Sequence, residues 1–152
     1  MKKQFYLLFV VLFSAICLAG CNHKKESPIG KLFSSEQSLK EGLIGKDFVS
    51  EDYTCLIDFR RENRYKIFVK ESPNSEWIQF DGKKYRITTD SEGEVCIEFD
   101  YLEQNGGDHN AKGKFTYNEF TLTYFHGKTL KFHDFKIITA DEGRTVYEKG
   151  SL

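Results

Sequence analysis

A few residues of this chain are of types that could do chemistry: four histidines, a run of acids between Asp90 and Asp100, Cys55 and Cys96, and the lone tryptophan, Trp77. A metal site would need the histidines His23, His109, His126 and His133 to converge. The pattern puts His126 in a turn and His133 about five strand residues further on, roughly 15 Å away at about 3.3 Å per residue. Two ligands that far apart cannot share an ion held at Zn–N distances of about 2 Å. Cys96 and Glu98 share an outward strand face with no histidine in phase, so the residues predict no metal and no cofactor. Asp90, Glu92, Glu94, Glu98 and Asp100 lie in a turn and on that same outward face, where solvated carboxylates lack the burial a general acid needs. The serines fall in turns and in the N-terminal segment, without the Gly-x-Ser-x-Gly elbow of a hydrolase nucleophile. No enzyme is predicted.

Binding chemistry is the remaining class. Ile78 and Phe80 precede Asp81-Gly82, a dipeptide suited to a two-residue hairpin turn. With that turn Ile78, Phe80, Tyr85 and Ile87 point inward, and Trp77 points outward opposite Arg86. An exposed Trp beside an Arg resembles a partner-binding anchor, since both are enriched at interface hot spots. The other reading tucks Trp77 over one end of the domain as a cap. Arg86 also falls opposite Glu98, a cross-strand ion pair.

The elements that must position these residues read as strands. From Phe48 onward apolar residues alternate, with turn signals every eight to twelve residues, the mark of an all-β sandwich or barrel. Abundant Phe (14) and Tyr (8) against two Pro favours the same class. Tyr53, Cys55, Ile57 and Phe59 share one face; Tyr65, Ile67 and Val69 follow the Arg61-Glu62-Asn63 turn; Val95, Ile97, Phe99 and Tyr101 alternate with acids. A turn at Asn118-Glu119 and another at His126-Gly127-Lys128 put Phe115, Tyr117, Phe120, Leu122, Tyr124, Leu130 and Phe132 on one face. Phe125 and Phe135 are then left on the other. Phe135, Ile137 and Val146-Tyr147 read as one or two closing strands. Before the strands, Ser34 and Gln37 have capping-box spacing and Gly42 can stop a helix, so residues 35–41 are predicted helical, with Leu39 and Leu43 as the apolar edge. Residues 22–34 read as a polar tether.

The first twenty residues differ from all the rest. Lys2 and Lys3 precede an unbroken apolar run from Phe5 to Phe13, shorter than the roughly 20 residues a membrane span needs, and Leu18-Ala19-Gly20-Cys21 closes the segment. This order is that of an export signal, and its last four residues resemble the lipobox of bacterial lipoproteins. The resemblance implies cleavage between Gly20 and Cys21, lipidation of the Cys21 thiol and anchorage of the chain to a membrane. With Asn22 rather than Asp after the cysteine, it further implies an outer-membrane location facing the periplasm. Two or three acyl chains, at about 0.8 kcal/mol per buried CH₂, make such an anchor effectively permanent.

Cleavage would take the charged side chains from 22 basic and 23 acidic to 20 and 23, a formal charge of −3. That is no footprint for nucleic acid. Export favours a disulfide, but Cys55 lies on an inward face and Cys96 on an outward one, on strands far apart in a meander, so the phase predicts them unpaired.

The expected organisation is thus a signal peptide at 1–20, a lipidated tether and short helix at 21–44, and an all-β domain at 45–150. That domain is an antiparallel meander of about eight to ten strands forming a small barrel. The layout is similar to the lipocalin-like barrels of bacterial lipoproteins, with Phe48 after Gly45-Lys46-Asp47 where lipocalins have Gly-x-Trp. Together these features predict a lipid-anchored, non-enzymatic binding module of the envelope with a protein partner. The alternatives are an envelope assembly factor, or a carrier of a small apolar ligand in the barrel.

Overall fold

A computed structural model describes residues 27–61, 64–104, 111–124 and 127–152. Two short helices come first, α1 (Pro28–Leu32) and α2 (Glu36–Gly42). Ser27 and Ser35 cap them, each side-chain oxygen accepting the backbone N–H three residues on. The cap of α2 is therefore Ser35 and not Ser34, whose hydroxyl donates to the Lys31 carbonyl. Residues 28–32, expected within a polar tether, are helical because Pro28 at the first position sacrifices no hydrogen bond. Ile29, Phe33, Leu39 and Leu43 all enter the main core, the last two as their apolar edge predicts.

Ten strands follow among the described residues: β1 (Lys46–Val49), β2 (Cys55–Arg61), β3 (Arg64–Val69), β4 (Ile78–Gly82), β5 (Tyr85–Thr89), β6 (Val95–Gln104), β7 (Ala111–Phe115), β8 (Glu119–Tyr124), β9 (Lys128–His133) and β10 (Lys136–Ile138). They pair antiparallel in the order β10-β1-β2-β3-β4-β6-β7-β8-β9, with β5 also beside β6. This is the predicted meander, curled around one interior. Among the described residues no ladder joins β9 to β10, so the barrel is open along that seam.

The interior is aromatic. Phe48, Phe59, Phe80, Phe99, Phe115 and Phe120 are fully buried and meet mostly edge to face, as Phe48 and Phe115 do at 5.3 Å and Phe99 and Phe120 at 5.8 Å. Each such ring is worth about 1.5–3 kcal/mol of burial.

The facing residues of β7, β8 and β9 survive a change of register. Phe115 pairs with Phe120 and Leu122 with Leu130, where the predicted turns would have paired Phe115 with Leu122 and Tyr124 with Leu130. Both ladders have moved by an even step, and only an odd step exchanges the two faces of a strand. All seven residues consequently remain on the inner side, with Tyr117 and Leu130 partly covered. Phe125 lies outside the described residues. Phe135 is inside, 4.7 Å from Phe115 between ring centroids, because Asp134 adopts φ +55° and resets the alternation.

Asp81-Gly82 does not make a hairpin. β4 and β5 do not pair with each other; both pair with β6, in a single register, β4 at Gln104 and Glu103 and β5 from Phe99 to Val95. They act as one strand that peels away from β6 over Gly82–Lys84. On its other side β6 carries a bulge against β7 between Phe99 and Leu102, and a bulge bends its strand and lets it pass from one sheet to another. β6 thus belongs to two sheets and forms the corner between them. Gly82 is present for closeness: a Cβ there would lie 2.1 Å from the Tyr65 ring and hydroxyl.

The C-terminal segment read as closing strands is a strand and a helix: β10, then α3 (Ala140–Lys149) containing Val146 and Tyr147. Thr139 and Glu142 form a reciprocal capping box, and Gly150 at φ +82° ends the helix. α3 lies on the outer face of the sheet, where Val146 joins Val49, Leu56, Phe68 and Ile138 in a second, smaller core. Tyr53, expected on the inner face, has φ +56° in the β1–β2 turn and packs on this outer core. Cys55 and Cys96 are buried and unpaired, as their phase implies.

Candidate binding cleft at the corner between the sheets

The corner leaves an open cleft of about 750 Å³. Its floor is Tyr65, whose ring points inward from β3 and whose hydroxyl donates to the Lys84 carbonyl at 3.0 Å. Burial, and then the charge of Asp100, push that hydroxyl's pKa well up, so it stays protonated. The outward positions of β2 and β3 supply Arg60, Arg64 and Lys66, and the peeled-off segment supplies Lys83 and Lys84. Three acids share the lining: Asp81, Asp100 and Glu103.

The acids are engaged and most of the cations are not. Asp100 binds Arg86 at 2.9 Å, Asp81 accepts from the Gln79 amide at 2.8 Å, and Glu103 has a partner too. Of the cations, Arg60 is paired with Asp58. Arg64, Lys66, Lys83 and Lys84 have no ion-pair partner among the described residues, even though Lys66 stands opposite Asp81 in the ladder. The cleft is therefore a concave, cationic surface with an aromatic floor.

The predicted pair of Trp77 and Arg86 is not brought together, since no hairpin joins their strands. Trp77 packs beside α3: its ring stacks on Tyr147 at 6.2 Å, its indole N–H donates to the Tyr147 carbonyl at 3.1 Å, and the Lys70 ammonium sits 4.7 Å from the ring centre. Arg86 makes the predicted ion pair with Glu98 at 3.0 Å and a second with Asp100, so its guanidinium is committed within the sheet. The predicted lipidation and cleavage residues, Cys21 and Gly20, lie outside the described residues, as do His23, His109 and His126. His133 stands 3.5 Å from Glu119. No group of His, Cys, Asp and Glu among the described residues has metal-holding geometry.

One acid pair was invisible in the sequence. Asp47 of β1 and Asp58 of β2 face each other across the ladder, both almost fully buried on the outer face. Burial, then the adjacent Asp58 charge, raise the Asp47 carboxyl from its ordinary 3.8 to about 7, with Arg60 opposing. Gly143 of α3 closes over it; a Cβ there would sit 1.9 Å from an Asp47 carboxylate oxygen. Two carboxyls sharing a proton could do acid–base chemistry in the open, but these are sealed beneath a helix.

The cleft cations carry no joint signature in the sequence, because they come from two stretches of chain, residues 60–66 and 83–84. The only local signals were the basic doublets Arg60-Arg61 and Lys83-Lys84 on either side of turns. No family model, no curated protein and no solved structure matches the chain.

Proposed function

We propose that the chain is a lipid-anchored, non-enzymatic binding module of a bacterial envelope that holds a protein partner against its outer surface. The order of charges, apolar run and Leu18-Ala19-Gly20-Cys21 at the N-terminus supports the anchor. The observation that carries the binding mode is the filled interior. Six fully buried phenylalanines occupy the space a carried apolar molecule would need, which favours a partner outside over a ligand inside. The reading is tested by growing cells with radiolabelled palmitate and fractionating their envelopes. Label is expected in the wild-type chain and in the membrane fraction, with Cys21→Ser unlabelled and soluble. An unlabelled wild-type chain, or a Cys21→Ser chain still held in the membrane, would overturn the anchor. An apolar lipid co-purifying with the native chain, with no protein cross-linked to it in the envelope, would overturn the protein partner.

A further inference from the structure

We infer that the corner cleft binds a carboxylate-rich peptide segment, the acidic stretch of a protein partner. The inference rests on the binding-module reading for its partner class, and on the cleft itself for the chemistry. Four cations, Arg64, Lys66, Lys83 and Lys84, converge on one concavity without ion-pair partners among the described residues, while the acids beside them are engaged. Several cations grouped in one concavity raise the local positive potential and so favour an incoming anion.

The shape of the cleft narrows the class of anion. A volume of about 750 Å³ falls in the range of sites that enclose a ligand. A flat anionic membrane cannot enter a concavity, so it would meet only the rim. A nucleic-acid backbone sets charges at close, regular intervals and would bring phosphates against Asp81, Asp100 and Glu103. A peptide can place its carboxylates on the four cations and its backbone N–H groups near the three acids. Its aliphatic stems can lie on Tyr65, which is fixed by its hydrogen bond to Lys84.

The test uses the full chain in detergent micelles at low salt, with fluorescein-labelled octa-glutamate as the probe and fluorescence anisotropy as the readout. The double variant Lys83→Glu/Lys84→Glu is compared with Lys31→Glu/Lys149→Glu, which makes the same change in net charge at exposed positions on α1 and α3. Binding is expected in the wild type and in the helix variant. The cleft variant should lose about tenfold or more in affinity, and Arg64→Gln a smaller part of it. Circular dichroism confirms that each variant is folded, and Arg64→Gln keeps the test decisive if the double variant is not. No binding of octa-glutamate by the wild type overturns the inference and leaves the anchored-module reading to its own palmitate test. Equal losses in the two double variants overturn it as well, because net charge alone would then explain binding. Displacement of the labelled peptide by glycerophosphoglycerol at lower concentration than by unlabelled octa-glutamate would assign the cleft to a phosphate headgroup instead.

Discussion

The two faces of β1 and β2 are packed by opposite means. Inward, Phe48, Ile57 and Phe59 meet other rings and no charge; outward, Val49 and Leu56 share their layer with the Asp47–Asp58 pair and are covered by a single helix. The inner layer is held by shape and apolar burial, which do not respond to protons. The outer layer buries a carboxyl whose pKa is raised by burial and by the Asp58 charge, so its stability should respond to protons. The same sheet therefore carries an unconditional core on one side and a conditional one on the other, and each difference can be tried by substitution.

The largest effect should come from the inner layer. Phe115 touches the rings of Phe33, Phe48, Phe120 and Phe135, so Phe115→Ala should cost roughly 3–5 kcal/mol in urea unfolding. Its cost should be the same at pH 5 and pH 8; a strongly pH-dependent loss would erase the contrast between the layers.

Gly143→Ala addresses the outer layer by size. The new methyl group would collide with the Asp47 carboxylate, and forcing α3 off the sheet should cost about 2–3 kcal/mol. Trp77 is the only tryptophan and bonds to the backbone of α3, so its fluorescence reports this layer alone. Unchanged emission, with unchanged hydrogen exchange in α3, would show that the helix has room the geometry denies it.

Asp47→Asn addresses the same layer by charge. The folded carboxyl titrates near 7 and the unfolded one near 3.8, so the folded state binds the extra proton between those values. Stability is then fully present below about pH 4, declines as pH rises to about 7 and is level above that. Asparagine keeps a donor toward Asp58 without the charge. The variant should be roughly 1–2 kcal/mol more stable than wild type at pH 8 and should lose the slope between pH 4 and 7. Slower exchange of α3 amides at pH 5.5 than at pH 8, after correction for intrinsic rates, should vanish with it.

Arg86→Ala should matter least. Its pairs with Glu98 and Asp100 are solvent-exposed, so about 1 kcal/mol or less is expected, diminishing further in high salt. A larger loss would mean that the corner of β6 depends on this ion pair.

How far the sequence speaks depends on whether a pattern is periodic or converges from afar. Alternation along 95–99 and 120–124 reports a face directly, and it remains correct even where the turns are placed two residues out of register; past Phe99 a bulge breaks it and brings Leu102 into the core. The reset at Asp134 hides Phe135, because a left-handed aspartate looks like any other. Asp81-Gly82 has the chemistry of a hairpin, yet here the glycine makes room for Tyr65, seventeen residues earlier in the chain. Val146-Tyr147 reads as a strand when taken alone; the capping pair Thr139 and Glu142 and the terminal Gly150 mark the helix only when read together. The cleft is assembled by a strand that changes sheets, and nothing local to Arg64 or Lys84 announces that they will meet.

The unpaired seam has a further consequence. Free strand edges invite a second chain to add itself and so to aggregate. Here β9 ends in the left-handed Asp134 and β10 is three residues long, which splits the row of open main-chain groups into two short runs at an angle. Lys128, Lys131 and Lys136 sit on those edge strands, and an approaching strand would have to strip water from their ammonium groups. The barrel can thus stay open while its free edges discourage a second copy from adding on.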